Sequence, residues 1–254
     1  MNLITSNNSF NSYLKGKNIK IVTNIKYDKK KLKHITEDLV IDQLYNISLF
    51  HKLASGYENY VVSDLENKTG KMVEKYKVEL KRVKRLLNKI KSIGCRNRFE
   101  EIFLKEIEKY IKLSDFCLKK ICNDNYINLI YRSMKKTEVC LGNIYFDNLT
   151  KNESIEIKDF SSCCYNMVEF DCIDFLYKLK KKNLNLNMKK LSSKFCEFEG
   201  LTEKSNEFIL SFVSYPYSVI KCCNRYIEDK KNWDEDKYII KFKKAMDEDK
   251  AILI

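Results

Sequence analysis

Residues 139–160 read VCLGNIYFDNLTKNESIEIKDF, and this stretch decides the fold class. It contains two short β-prone runs, VCLGNIYFDNL and SIEIKDF, and the polar residues Thr150–Glu153 separate them. Two such runs on either side of a polar turn are typical of a β-hairpin. The stretch therefore predicts a hairpin at about residues 138–160.

Helical patterns lie on both sides of this hairpin. Residues 71–91 carry apolar side chains at every third or fourth position, opposite a face of lysine and glutamate, and the pattern recurs from Phe99 to Ile121 after a break at Gly94. This spacing is that of an amphipathic helix. Further helices are predicted at residues 38–56, 171–182, 187–198, 205–214, 219–229 and 237–245. With only one proline and six glycines, the chain favours a mainly α fold with a small β component, an α+β class.

The first 39 residues differ from the rest. The run Ile19–Ile25 alternates in the manner of a strand, and a lysine-rich break follows it. We therefore expect a short strand or hairpin in residues 1–39 and a helical region over residues 40–254 that contains the hairpin. A chain of 254 residues can bury a core as one large domain, or as one domain with a small lobe.

Charge and composition limit the classes of partner. The net charge of +13 favours contact with polyanions. However, the lysine clusters at residues 29–31, 178–182 and 241–244 lack interleaved arginines and aromatics, so no specific nucleic-acid partner is expected. No apolar run reaches the roughly 18 residues of a membrane span, so we expect no membrane partner and a chain made in the cytoplasm. The two histidines, His34 and His51, offer no metal-binding cluster.

The ten cysteines contain no CxxC pair. Reduced and mostly buried thiols are the simplest interpretation. Adjacent cysteines rarely bridge each other, so Cys163/Cys164 and Cys222/Cys223 are instead candidates for cross-links to other chains.

Four motifs follow one another along the chain. They are SLFHKLASGY at residues 48–57, VCLGNIYFDNL at residues 139–149, KDF at residues 158–160, and FVSYPYSVIKCCNRYIEDKKNW at residues 212–233. Together with Asp171 in the helix after KDF, they resemble the CotS-type spore coat proteins, which carry a kinase-like fold, and the aminoglycoside phosphotransferases. The resemblance begins near residue 40 and implies a kinase-like carboxyl lobe, with residues 1–39 as the remnant of a truncated amino-terminal lobe.

The resemblance also assigns places to individual residues. Leu141, Gly142 and Asn143 hold the places of the family's His-Gly-Asp, so the catalytic Asp position is Asn143. Asn148 and Asp159 hold the two places that bind magnesium beside ATP. A neutral amide is a poor proton acceptor, so the roughly hundred- to ten-thousand-fold contribution of proton transfer would be lost. This loop is therefore predicted to be degenerate.

Other interpretations of these residues stay open. Asp147 could supply the missing carboxylate if the loop were rearranged. Alternatively, Asp147 and Asn148 could only hold the turn through Asx-type hydrogen bonds, while Asp159 and Asp171 serve as capping or anchoring carboxylates. The scattered glycines form no phosphate-binding loop, and Lys20 and Lys26 are only nominal candidates for the lysine that contacts ATP.

Three functions follow, in order of preference. The first is a catalytically inactive, kinase-like spore coat protein with a structural or assembly role, whose partners are other coat proteins and which needs no cofactor. The second is a phosphotransferase that depends on magnesium and ATP and uses a substituted base. The third is a basic protein that binds polyanions, whose affinity would fall steeply with salt.

Overall fold

The computed structural model describes residues 7–25, 35–58, 64–123, 125–182, 184–229 and 232–250. The predicted features at Lys26, Lys29–Lys31 and His34 lie outside these residues. By its contacts, the chain divides into two compact units. The first unit comprises residues 1–69, 124–179 and 184–210, and the second comprises residues 70–123, 180–183 and 211–254.

Within the described residues, the chain forms ten helices and six short strands. In chain order they are α1 (Asn7–Gly16), β1 (Ile19–Ile21), α2 (Glu37–Ala54), β2 (Glu66–Asn67), α3 (Lys71–Ile93), α4 (Arg98–Ile121), α5 (Asn125–Lys136), β3 (Val139–Cys140), β4 (Leu149–Lys151), β5 (Ile155–Ile157), β6 (Cys164–Tyr165), α6 (Glu169–Lys180), α7 (Met188–Glu199), α8 (Glu203–Ser214), α9 (Tyr217–Glu228) and α10 (Glu235–Glu248). The predicted mainly α fold with a small β component is confirmed.

Two three-stranded sheets lie in the first unit. In one, β4 and β5 form an antiparallel hairpin with Leu149 opposite Ile157, and β1 joins β5 in parallel with Ile19 opposite Ile155. In the other, β6 lies between β2, which is parallel to it, and β3, which is antiparallel. Ile19, Ile155 and Ile157 are all buried, so the first sheet faces the core of this unit.

The predicted hairpin needs a correction. Only Val139 and Cys140 of its first run are extended, and they pair with β6 instead of the second run. Gly142 has a φ of +74°, a left-handed conformation that takes the chain out of the strand. Residues 141–148 therefore form a loop, and the hairpin is the shorter β4–β5 pair at residues 149–157.

The described part of residues 1–39 is built into the first unit. Phe10 and Leu14 of α1 are buried, and β1 is an edge strand of the sheet that contains the β4–β5 hairpin. The division between the two units therefore does not fall near residue 40. The origin of this segment as a remnant of an amino-terminal lobe stays a prediction.

The second unit is helical. The stripe of α3 is buried as its spacing predicts, through Val73, Tyr76, Leu80, Val83, Leu87 and Ile90. This face packs against α4 and α9, and α10 packs against α9 and α4. Gly94 ends α3 with a φ of +85°, and the Asn97 side chain caps α4 by accepting from the Glu100 N–H. The two long helices are thus separated at the predicted break.

All ten cysteines are free thiols, and eight of them are buried. The adjacent pairs Cys163/Cys164 and Cys222/Cys223 belong to the buried set, so they are poorly placed to cross-link separate chains. The exposed cysteines are Cys95 and Cys122. Among the described residues, no helix combines the length and apolar composition needed to cross a bilayer.

Candidate functional site

The loop at residues 141–148 is hydrogen-bonded at its start to a carboxylate of α6. Asp171 Oδ2 accepts a hydrogen bond from the Leu141 N–H at 2.8 Å, and its Oδ1 accepts from the Gly142 N–H at 3.0 Å. Asp171 lies in the first turn of α6, where a negative charge is favoured by the helix dipole, and is only 2% exposed. The backbone at the start of the loop is therefore fixed by a buried charge.

A histidine of α2 completes this anchor. His51 Nε2 lies 3.0 Å from Asp171 Oδ2, and His51 Nδ1 lies 2.7 Å from Glu199 Oε1 at the end of α7. Burial alone lowers the pKa of His51, but the charge of Glu199 and the hydrogen bonds with both carboxylates outweigh it and raise the pKa to about 10. His51 is thus an imidazolium at neutral pH and donates to a carboxylate from each ring nitrogen.

The side chain of Asn148 ties the loop to the segment after the hairpin. Its Nδ2 donates to the backbone carbonyls of Asn143 at 2.6 Å and Asp159 at 2.8 Å. Its Oδ1 accepts from the Asp159 N–H at 2.7 Å. The Asn148 side chain is buried, with only 2% of the residue exposed. The amide of Asn148 therefore links the backbone of Asn143 to the backbone of Asp159.

The other predicted site residues lie at the surface of this region. Asn143 is half-buried, whereas Asp147 and Asp159 are exposed. The Asp159 carboxylate accepts from the Ser161 N–H at 2.8 Å, the arrangement of an Asx turn. The carboxylates of Asp147 and Asp159 are thus open to solvent, and the chemical roles of these residues stay predictions.

Gly142 lies against the segment that follows the hairpin. A Cβ atom at this position would lie 2.6 Å from the backbone oxygen of Ser162. No real Cβ tolerates that distance, and the φ of +74° also disfavours other residues. Glycine is therefore required here by both the local conformation and the close approach of residues 161–163.

The pair Asn148 and Asp159 does not fit a magnesium site in this arrangement. Magnesium prefers oxygen ligands in octahedral geometry and often takes one or two carboxylates together with water and phosphate oxygens. Asp159 offers an exposed carboxylate, but Asn148 is buried and its amide oxygen already accepts a backbone N–H. A metal could use Asn148 only after this hydrogen bond is given up or shared.

His51, Cys140 and Asp171 form a second group whose side-chain atoms lie within 4.8 Å of one another. A metal ion bound by this group would require His51 as a neutral imidazole and Cys140 as a thiolate. His51 is instead protonated between two carboxylates, and burial raises the pKa of Cys140 well above its usual value. We therefore describe His51 and Asp171 in this group as an ion-pair anchor.

Sequence reasoning missed a further buried ion pair in the first unit. Arg132 of α5 donates to both oxygens of Glu169, at 2.7 and 2.6 Å, and to both oxygens of Glu138, at 3.0 Å each. Its Nη1 also lies 3.2 Å from Ser205 Oγ. Arginine is uncommon among the 48 basic residues, and its planar fork suits such paired contacts. The presence of arginine instead of lysine at residue 132 was the sequence signal that could have indicated this ion pair.

The class of the fold follows from a comparison with solved structures, and it is kinase-like, of the aminoglycoside phosphotransferase type. The structure is similar to that of an aminoglycoside phosphotransferase from Alicyclobacillus acidocaldarius, with a TM-score of 0.67 and 10% sequence identity. The match covers 85% of this chain but only 64% of the other, so this chain spans less than two thirds of that protein. A scan against protein-family models gives no match, and neither does a comparison with curated proteins. The resemblance at the level of fold is therefore shown, and membership of the CotS-type family stays a prediction.

Proposed function

We propose that this chain is a kinase-fold protein that has lost efficient phosphoryl transfer and acts as a structural component of an assembly. The observation that carries the proposal is the set of hydrogen bonds made by the Asn148 side chain. Its side chain is buried and holds the loop together through three hydrogen bonds to backbone groups. The residue that the resemblance places at a metal-binding position thus holds the loop through backbone contacts, which supports the proposal.

The residue at the base position supports the same conclusion. Asn143 carries an amide, which can orient a hydroxyl group but cannot accept its proton at neutral pH. The neighbouring carboxylate, Asp147, is exposed and is not enclosed by the loop. General base catalysis works best with a group positioned within hydrogen-bonding reach of the reacting proton. Asn143 lacks such a group, and the exposure of Asp147 leaves its carboxylate without enclosure by the loop.

The charge of the chain argues against the acceptor of the similar enzyme. Aminoglycosides carry several amino groups and are polycations at neutral pH. This chain has a net charge of +13, so its long-range field repels such a substrate. We therefore do not propose an aminoglycoside as the substrate of this protein, although the two folds are similar.

The spore coat is the proposed setting, and its support is the sequence resemblance at residues 48–57, 139–149 and 212–233. A basic chain rich in lysine and tyrosine suits an assembly of several proteins. The test is mass spectrometry of purified spores of the source organism. Enrichment in the coat fraction supports the setting, and a protein absent from purified spores contradicts it.

The loss of catalysis is tested by calorimetric titration with millimolar ATP, with and without magnesium, combined with measurement of phosphate release. The wild-type chain is compared with Asp159→Ala and with Asp42→Ala, an exposed aspartate of α2 that serves as the matched control. We expect no saturable, magnesium-dependent binding in any of the three. Binding that disappears in Asp159→Ala but persists in Asp42→Ala would overturn the proposal.

A second candidate is a slow phosphotransferase that depends on magnesium and ATP. Two observations favour it: Asp171 holds the backbone of Leu141 and Gly142 in a fixed conformation, and Asp159 keeps an exposed carboxylate. The variant Asn143→Asp separates the candidates. If only the base is missing, restoring the carboxylate should raise phosphate release by at least about a hundredfold. If the loop is purely structural, phosphate release stays at background.

A further inference from the structure

A compact basic cluster lies in the second unit. It surrounds a cavity of about 190 Å³ lined by α9, α10 and Lys181. Its cationic members are Lys181, Lys221, Arg225, Lys241 and Lys244, and its one carboxylate is Glu248. We call this set the α9–α10 basic cluster.

Helical spacing explains how the cluster forms. Lys221 and Arg225 lie four positions apart on α9, and Lys241 and Lys244 lie three positions apart on α10. Each pair therefore shares one face of its helix. Since α9 packs against α10, the two pairs line the same cavity. Like charges at these spacings destabilise a helix, so the arrangement does not serve the stability of either helix.

The positive charge of the cluster is only partly compensated. Glu248 is shared by Lys181 at 3.9 Å, by Lys244 at 4.0 Å and by the Ser218 hydroxyl, which donates at 2.7 Å. Among the described residues, no carboxylate lies within salt-bridge distance of Lys221, Arg225 or Lys241. Lys221 instead lies over the Tyr217 ring at 5.2 Å, and Arg225 lies over the Trp233 ring at 5.7 Å. Each ring contact leaves its cation charged, and the Glu79 carboxylate also interacts electrostatically with Lys221.

We propose that the α9–α10 basic cluster is a binding site for a compact phosphate-class anion, with the properties of pyrophosphate or a phosphomonoester. The volume of about 190 Å³ is below the 300–1,000 Å³ of pockets that hold drug-sized ligands, so the occupant is small. Lysine binds phosphate as a point charge that does not require bidentate geometry. Five cationic residues that line one small cavity match a small multivalent anion better than an extended acidic chain.

The proposal is tested by calorimetric titration of the full chain with sodium pyrophosphate at physiological salt. The test variant is Lys221→Gln combined with Lys241→Gln. The matched control is Lys135→Gln combined with Lys136→Gln, which removes the same charge from two exposed positions at the end of α5. We expect the test variant to weaken binding by about tenfold or more and the control by less than about twofold, because charge-assisted contacts are local.

A third variant moves the affinity in the opposite direction. Glu248→Gln removes the one carboxylate that lines the cavity and should tighten pyrophosphate binding by about threefold, which corresponds to less than about 1 kcal/mol. A gain in affinity cannot arise from loss of folding. Circular dichroism checks that the double variants keep their helical content.

Three outcomes would overturn the proposal. The first is the absence of saturable heat with millimolar pyrophosphate. The second is equal weakening in the test and control variants, which would indicate only the general attraction of a protein with a charge of +13. The third is tighter binding of an oligoglutamate peptide than of pyrophosphate at the same cluster, which would assign the surface to an acidic protein. Parallel titrations with inorganic phosphate and with ADP distinguish a free phosphate anion from a nucleotide as the bound ligand.

Discussion

Replacing His51 by glutamine tests the buried anchor of the loop. The substitution removes a positive charge that lies 3.0 Å from Asp171 and 2.7 Å from Glu199, and leaves two carboxylates without it. Breaking a buried ion pair in this way costs about 3–5 kcal/mol. We expect His51→Gln to lower the free energy of unfolding by an amount in this range at pH 7.

The pH dependence supplies an independent measure. The pKa of His51 is raised from 6.5 to about 10, so the folded state retains a proton that the unfolded state loses in this interval. The stabilisation is fully present below about pH 6.5 and declines as the pH rises towards 10. At about 1.4 kcal/mol per pH unit, the interval corresponds to about 5 kcal/mol at most. The stability difference between wild type and His51→Gln should therefore shrink steadily above pH 7.

Two measurements check this expectation. Urea denaturation of wild type and His51→Gln at pH 6.5, 8 and 9.5 gives the stability difference. Nitrogen-15 spectra of the imidazole groups give the protonation state directly, because the chain has only two histidines. The variant His34→Gln assigns the two sets of signals. At pH 8, both ring nitrogens of His51 should carry protons.

A neutral His51 at pH 8 would refute the reasoning, and so would a stability difference that does not change between pH 6.5 and 9.5. Either result would mean that the two carboxylates do not hold the imidazolium. The anchor of Leu141 and Gly142 would then depend on Asp171 alone.

Three further predictions concern stability and are measured by urea denaturation. Gly142→Ala should destabilise the chain more than Gly200→Ala. Both positions have a positive φ, but only the Cβ at residue 142 would meet a backbone oxygen, at 2.6 Å. Equal losses of stability in the two variants would contradict the close approach of Gly142 to Ser162. Leu80→Ala, at a position 3% exposed, should cost about 2–5 kcal/mol, whereas Val78→Ala, at a position 49% exposed, should stay within about 0.5 kcal/mol. Burial raises the pKa of Asp249 from 3.8 to about 6. The free energy of unfolding of wild type should therefore fall relative to that of Asp249→Asn by about 3 kcal/mol as the pH rises through this interval. Free energies of unfolding that change with pH in parallel for the two proteins would contradict this.

Features with a local sequence signature were predictable. The buried stripe of α3 and the separation of α3 from α4 at Gly94 follow from apolar spacing and from one glycine. Such patterns report which face of a helix is buried. They do not report what that face contacts, so the packing of α3 against α9 could not be derived.

Features that join distant residues were not predictable from patterns. His51 and Asp171 are 120 positions apart in the chain, and nothing near either residue indicates the other. Likewise, Val139 pairs with Tyr165 instead of the adjacent β-prone run, and Ile19 pairs with Ile155. The lysine runs at residues 178–182 and 241–244 look like separate solvated faces, yet Lys181 and Lys241 line one cavity.

The conformation of the loop is weak evidence for catalysis in this chain, because the groups that hold the conformation are not those predicted to perform the chemistry. Asp171 is 2% exposed, and without His51 and the two backbone N–H groups it would be a buried charge without compensation. Folding therefore favours keeping the anchor whether or not the protein has a substrate. The residues with predicted chemical roles are instead Asn143 and the exposed Asp147 and Asp159, and these roles stay predictions. Activity and loop conformation can thus be lost independently, and the Asn143→Asp variant tests the first without disturbing the second.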